Sequence, residues 1–126
     1  MKVWIRADGN EHIGTGHVMR CLAIAEALEA AGVQVCFVMA DDAAAKLVKS
    51  RGKKVRILHT LYDRMEEELP VLTAVMEAEH PDMLLIDSYY VSDAYLQRLT
   101  EQVWTAYIDD KSFRSYPVNM IINYNI

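Results

Sequence analysis

Apolar residues run through this chain in short blocks, separated by stretches patterned for helices. Residues 2–7 form the first block and predict a strand. From about His17 to Ala31 the residues Val18, Cys21, Leu22, Ala25 and Leu28 recur at helical spacing, and Gly32 stands where a helix-ending glycine belongs. Residues 33–40 are nearly continuously apolar, as in a strand covered on both faces of a parallel sheet. Asp41 and Asp42 predict a cap for a short helix over 43–51, which Gly52 closes. Residues 55–58 predict a third strand. Residues 63–80 then read as helical, with Asp63 and Glu66 spaced as a capping box. Pro70 interrupts that pattern, so a short turn followed by a helix from about Pro70 to Glu79 is expected. Residues 83–86 give a fourth strand, Ser92 caps a helix to about Gln102, residues 103–108 give a fifth strand and 120–122 a short sixth. Strands alternating with helices predict an α/β fold with a doubly wound, Rossmann-like parallel sheet and right-handed crossovers.

Composition narrows the class. The 126 residues suffice for one such domain and are too few for two of ordinary size. Apolar residues make up 52% and charged residues 25%, a balance that excludes disorder. The formal charge of −5 gives no support for a nucleic-acid partner or an acidic membrane surface, and Arg51, Lys53, Lys54 and Arg56 form only a short solvated cluster. No apolar stretch approaches the roughly 20 residues of a membrane helix, and the opening residues enter a strand directly without a secretory h-region. Cys21 and Cys36 form no C-x-x-C pair and read as small buried thiols in a reducing cytoplasm.

Candidate chemistry concentrates where the first strand turns into the first helix, over Arg6-Ala7-Asp8-Gly9-Asn10-Glu11-His12-Ile13-Gly14-Thr15-Gly16-His17. In open α/β sheets ligands bind outside the carboxyl ends of the strands, and a helix opening there aims free N–H groups at an anion. Gly14 and Gly16 permit positive φ and close approach of a ligand. His17, at the helix N-terminus, is the candidate general base, because the positive end of the dipole disfavours the imidazolium; the alternative is a capping role. Asp8 either orients His17 or, as local propensity favours, holds the glycine turn through backbone amides. Arg20, about one turn after His17, pairs with Asp8 or meets a phosphate. After the fourth strand, Asp87-Ser88-Tyr89-Tyr90 offers sugar-binding groups or a polar helix-start turn. Asp109 and Asp110 follow the fifth strand, within reach of the cleft, but adjacent aspartates point in different directions and have no evident third ligand, so no metal and no cofactor is expected. His12 reads as a rim residue, and His59 and His80 as surface or capping residues.

The run Ile13-Gly14-Thr15-Gly16-His17-Val18-Met19-Arg20-Cys21-Leu22, preceded by Arg6-Ala7-Asp8 and followed by Asp87-Ser88-Tyr89 and Tyr107-Ile108-Asp109-Asp110, resembles the UDP-sugar hydrolases of pseudaminic acid biosynthesis. The resemblance spans nearly the whole chain. It implies the N-terminal lobe of a two-lobed, GT-B-type protein, with 1–126 forming that lobe and a C-terminal nucleotide-binding lobe as its partner. It also implies release of UDP from UDP-2,4-diacetamido-2,4,6-trideoxy-β-L-altropyranose, with water attacking the anomeric carbon and His17 taking its proton. Arg6, Asp8, Gly14, Thr15, Gly16, Arg20, Asp87, Ser88, Tyr89 and Asp109 are the implied substrate-binding residues. Two alternatives stand beside this reading. One is a GT-B glycosyltransferase or spore-coat polysaccharide protein using a sugar acceptor; the other is a nucleotide-sugar-binding module without turnover.

Overall fold

The computed structural model describes residues 1–110 and 114–123. Its six strands lie in one sheet in the order β3-β2-β1-β4-β5-β6, and every adjacent pair is parallel. In chain order the elements are β1 (Lys2–Ala7), α1 (Gly16–Ala30), β2 (Gln34–Met39), α2 (Ala45–Ser50), β3 (Lys54–Ile57), a 3-10 turn (Met65–Glu68), α3 (Leu69–Glu79), β4 (Met83–Asp87), α4 (Asp93–Thr100), β5 (Trp104–Asp109) and β6 (Met120–Asn123). This is the α/β, Rossmann-like architecture that the apolar blocks predict.

The alternation of side chains along β1 divides the core into two layers. Val3, Ile5 and Ala7 point to one face, where they join Val18, Cys21, Leu22 and Ala25 of α1 and Ala45 and Val48 of α2. Trp4 points to the other face and packs with Leu72 and Met76 of α3 and Leu96 and Leu99 of α4. Both faces are therefore covered, which is why the central strands carry apolar runs rather than alternating patterns. The chain runs from β1 outward to β3, then returns to place β4 on the other side of β1. That reversal puts the topological switch point between β1 and β4, where Ala7 pairs with Asp87 at the carboxyl edge.

Several local expectations change in detail. Ser92 caps α4, its Oγ accepting from the Tyr95 amide at 3.1 Å. Pro70 stands in the first turn of α3, where the missing N–H costs no helical hydrogen bond. His80 ends that helix in the left-handed conformation at φ 52°. The Asp63 capping box does not form: the 3-10 turn has no side-chain cap, and Glu66 instead accepts from the hydroxyl of Ser92. Nor do Asp41 and Asp42 cap α2 through their side chains. The helix begins at Ala45, and Asp41 Oδ1 accepts from Ala43 N at 3.0 Å, stabilising the turn before it.

The loop after β1 is a tight turn. Asn10 and Gly14 exchange backbone hydrogen bonds of 3.2 and 2.7 Å, and Asn10 Oδ1 accepts from the amides of His12 and Ile13. Gly14 takes φ 71°, which glycine adopts without the steric penalty of a Cβ. Gly16 does not: it is the first residue of α1 and has no positive φ. Gly9 is constrained by contact instead. A Cβ there would sit 3.0 Å from Val18 Cγ2 and 3.2 Å from both Ala44 Cβ and the Gly14 carbonyl.

Candidate active site

At the switch point α1 opens beside the end of β4, and three of its residues grip one carboxylate. His17, Arg20 and Cys21 lie at i, i+3 and i+4 and so share a face of the helix. His17 Nδ1 lies 2.6 Å from Asp87 Oδ1. Arg20 donates to the same carboxylate through Nη2 to Oδ1 and Nε to Oδ2, both at 2.5 Å. The Cys21 thiol donates to Oδ2 at 3.4 Å. Burial pushes the Asp87 carboxyl up, but the hydrogen bonds from Arg20 and His17 outweigh it and hold the group below the ordinary carboxylate range. An ionised carboxylate can only accept, so the proton between the two residues belongs to Nδ1. In the neutral ring Nε2 therefore carries the lone pair, the tautomer a general base requires. Nε2 has no hydrogen-bond partner among the described residues.

A second carboxylate completes the cluster. Arg20 Nη1 donates to Asp110 Oδ2 at 2.5 Å, and the Tyr89 hydroxyl donates to the same oxygen at 2.9 Å. Burial raises the Asp110 carboxyl, while Arg20 and Tyr89 lower it by a larger amount. The Tyr89 phenol is pushed up by burial and by its bond to Asp110, so it stays a donor at neutral pH. Its ring meets the His17 ring edge-on, with centroids 4.5 Å apart.

His17 faces a niche lined by Asp8, Ile13, Tyr62, Asp87, Ser88, Tyr89 and Tyr90, which is too tight to hold a water molecule as it stands. Tyr62 also borders a larger groove of about 620 Å³ on the β2 side, whose walls include Gly9, Asn10, Asp41, Ala44 and Leu47. Gly14, Thr15 and Gly16 are exposed, and nothing lies within 4 Å of where a Cβ of Gly14 or Gly16 would stand.

The remaining residues singled out in the sequence take other roles. Strand alternation sends Arg6 to the α3–α4 face, away from His17. There it is fully buried, donating Nε and Nη2 to Glu68 at 2.8 and 2.6 Å and Nη1 to Asp8 at 2.8 Å. It has no surface left to offer a ligand. Asp8 neither orients His17 nor holds the glycine turn: its Oδ1 accepts from Ala40 N at 2.8 Å, tying the end of β1 to the end of β2. Arg20 accordingly pairs with Asp87 and Asp110 and not with Asp8. Ser88 is buried, and its Oγ accepts from the Tyr90 amide while its carbonyl accepts from the Tyr107 hydroxyl. Asp109 is buried at the end of β5. Thr15 precedes α1 without capping it through its side chain. His12 is exposed at the tip of the loop. The sequence brings the Asp109–Asp110 pair to the cleft but favours Asp109 where Asp110 is the one that binds Arg20, and it does not place Cys21 or Tyr62 in the site. For Cys21 the helical i, i+4 spacing from His17 was the available signal.

No family model and no curated protein matches the chain. Among solved structures, the glycotransferase of kitacinnamycin shares the fold with a TM-score of 0.59 and 19% identity, over 85% of this chain. The match covers 29% of that protein, so this chain spans less than a third of its length. The likeness establishes a Rossmann-like fold of the kind found in a glycosyltransferase. No helix among the described residues is long and apolar enough to cross a membrane.

Proposed function

We propose that this chain is the base-bearing lobe of a GT-B-type enzyme that transfers a glycosyl group from a nucleotide sugar to a hydroxyl nucleophile. The observation that carries this reading is the His17–Asp87 pair at 2.6 Å, set at the topological switch point with Nε2 unpartnered among the described residues. In the step it supports, the nucleophile's oxygen attacks the anomeric carbon and its proton passes to Nε2. The bond from that carbon to the phosphate oxygen breaks, and its electron pair leaves with the nucleotide. Asp87 holds the ring in position and stabilises the imidazolium, as the carboxylate does in hydrolytic triads. A nucleoside diphosphate is a good leaving group, so the step needs no dedicated general acid. The amides of Thr15 and Gly16 at the start of α1 suit the sugar and the nearest phosphate, and a second lobe beyond this chain would supply the nucleotide pocket.

The finer reading is hydrolysis of UDP-2,4-diacetamido-2,4,6-trideoxy-β-L-altropyranose, with water as the nucleophile. It is supported by the resemblance of the His17 loop. A sugar acceptor is the rival, supported by the groove of about 620 Å³ that shares Tyr62 with the niche. Phosphorus NMR of the two-lobed protein with that UDP-sugar, without acceptor or metal, separates them. Hydrolysis predicts UDP release that falls by about 100-fold to 10,000-fold in His17→Asn. UDP that appears only after a sugar acceptor is added supports the transferase. Equal release in both proteins removes His17 from the base role. The 1–126 chain alone is expected to fold yet release little UDP, and rapid release by it would overturn the two-lobe requirement.

A further inference from the structure

We infer that Asp110 is a positioning residue for the His17 base, dividing the charge of Arg20 so that the cluster keeps a net negative charge toward the imidazole. The inference rests on the proposed role of His17 and explains a feature that role leaves puzzling. A guanidinium bound side-on to Asp87 would by itself cancel the carboxylate that His17 depends on. Arg20 Nη2 even lies 3.3 Å from His17 Nδ1, so its charge bears directly on the ring. A lone Asp87–Arg20 pair would therefore present a neutral partner to a base that must become positive during turnover.

Asp110 changes that balance. Arg20 is bound by two carboxylates, each at 2.5 Å, and the three groups together carry one net negative charge. All three side chains are largely shielded from solvent, at 12% exposure for Arg20, 0% for Asp87 and 16% for Asp110, so screening does not erase the difference. Among the described residues, the charged and titratable groups around His17 are Arg20 and Cys21 from its own helix, Asp87 at the end of β4, Tyr89 and Tyr90 after β4, Asp110 after β5, Tyr62 before the 3-10 turn, and Asp8 across the niche, the last already bound to Arg6. Among these, Asp110 is the carboxylate whose removal would leave Arg20 and Asp87 to neutralise one another. Asp110 also holds the Tyr89 hydroxyl, so one carboxylate sets both the charge beside the imidazole and the ring packed against it.

The test is an NMR titration of the His17 ring in the 1–126 chain without substrate, comparing the native protein with Asp110→Asn, Asp110→Ser and Asp110→Glu. Both neutral variants are expected to lower the pH at which the ring titrates by about half a unit to one unit, because the imidazolium loses its counter-charge. Asp110→Glu restores the native midpoint. Tyr89→Phe, which removes a hydrogen bond on Asp110 and no charge, leaves it unmoved. The inference is overturned if the neutral variants titrate like the native chain, or if Glu shifts the midpoint as far as Asn does. In the two-lobed enzyme the acidic limb of the UDP-release profile should move with the ring, with kcat falling and KM nearly unchanged. Ring shifts as expected in a protein that never releases UDP would count against the glycosyl-transfer reading alone.

Discussion

Two clusters in this molecule use nearly the same parts. In one, Arg6 bridges Asp8 and Glu68, and the Tyr95 hydroxyl donates to Glu68 at 2.7 Å. In the other, Arg20 bridges Asp87 and Asp110, and the Tyr89 hydroxyl donates to Asp110. The first is sealed between the sheet and α3–α4, with Arg6, Glu68 and Tyr95 at 0% exposure. The second sits at the carboxyl edge, and Tyr89 is 43% exposed. The edge cluster also holds an imidazole. Residue types alone do not separate a structural network from a candidate reactive one; position on the sheet does. Buried ionic networks are costly to break but not reactive, because every donor and acceptor is already committed and no ligand can reach them. A site needs one group left over, and here that group is His17 Nε2.

The sharpest way to break the comparison is to remove one member of the sealed cluster. Glu68→Ala strands the Arg6 guanidinium at zero exposure and should cost about 3–5 kcal/mol, read as a lower urea midpoint. His17→Asn should leave that midpoint within about 1 kcal/mol of the native value while the proposed UDP release falls by about 100-fold or more. If the two variants exchanged these phenotypes, the assignment of roles would be inverted.

Acid provides a smaller and more selective test. Asp87 has its carboxyl held down in the folded chain, so its stabilisation is fully present above the unfolded carboxylate value and disappears as pH falls through the folded one. Stability should therefore decline below about pH 4, the ordinary carboxylate range. In Asp87→Asn the decline should flatten, as seen in urea midpoints measured from pH 6 down to pH 2. An unchanged acid slope in that variant would show that Asp87 gains nothing from its donors. The smallest effect belongs to Tyr89→Phe, where an exposed hydrogen bond is lost. Its stability cost should stay within about 1 kcal/mol, and any change in kcat should exceed what stability explains.

Legibility in the sequence divides along the same line. Strand and helix positions were readable because burial on both sheet faces leaves apolar blocks, and because glycines and Ser92 mark helix ends locally. The His17 loop was readable because its glycines and histidine are neighbours in the chain. The partners of the two arginines were not. Arg6 reaches Glu68 across 62 positions and Arg20 reaches Asp110 across 90, so both pairings depend on strand order. Arg6 stands in the first predicted strand at the edge of the loop and reads as a ligand-binding residue there, but strand alternation turns it to the opposite face. Glu68 sits in the stretch where Pro70 blurred the helical pattern, so no local signal marked it as a buried counter-ion. The edge aspartates were visible as a pair after β5, but only the folded register shows that Asp110 reaches Arg20.

Gly9 has a practical consequence. Its backbone is wedged against Val18, Ala44 and the Gly14 carbonyl, so the base of the loop is seated while Glu11 and His12 stand exposed at its tip. The tip can be altered without disturbing the seat. A dye attached through a cysteine at position 12 borders the groove yet makes none of the contacts that hold His17 or Asp87, so its emission would register a ligand entering the groove without altering what receives it.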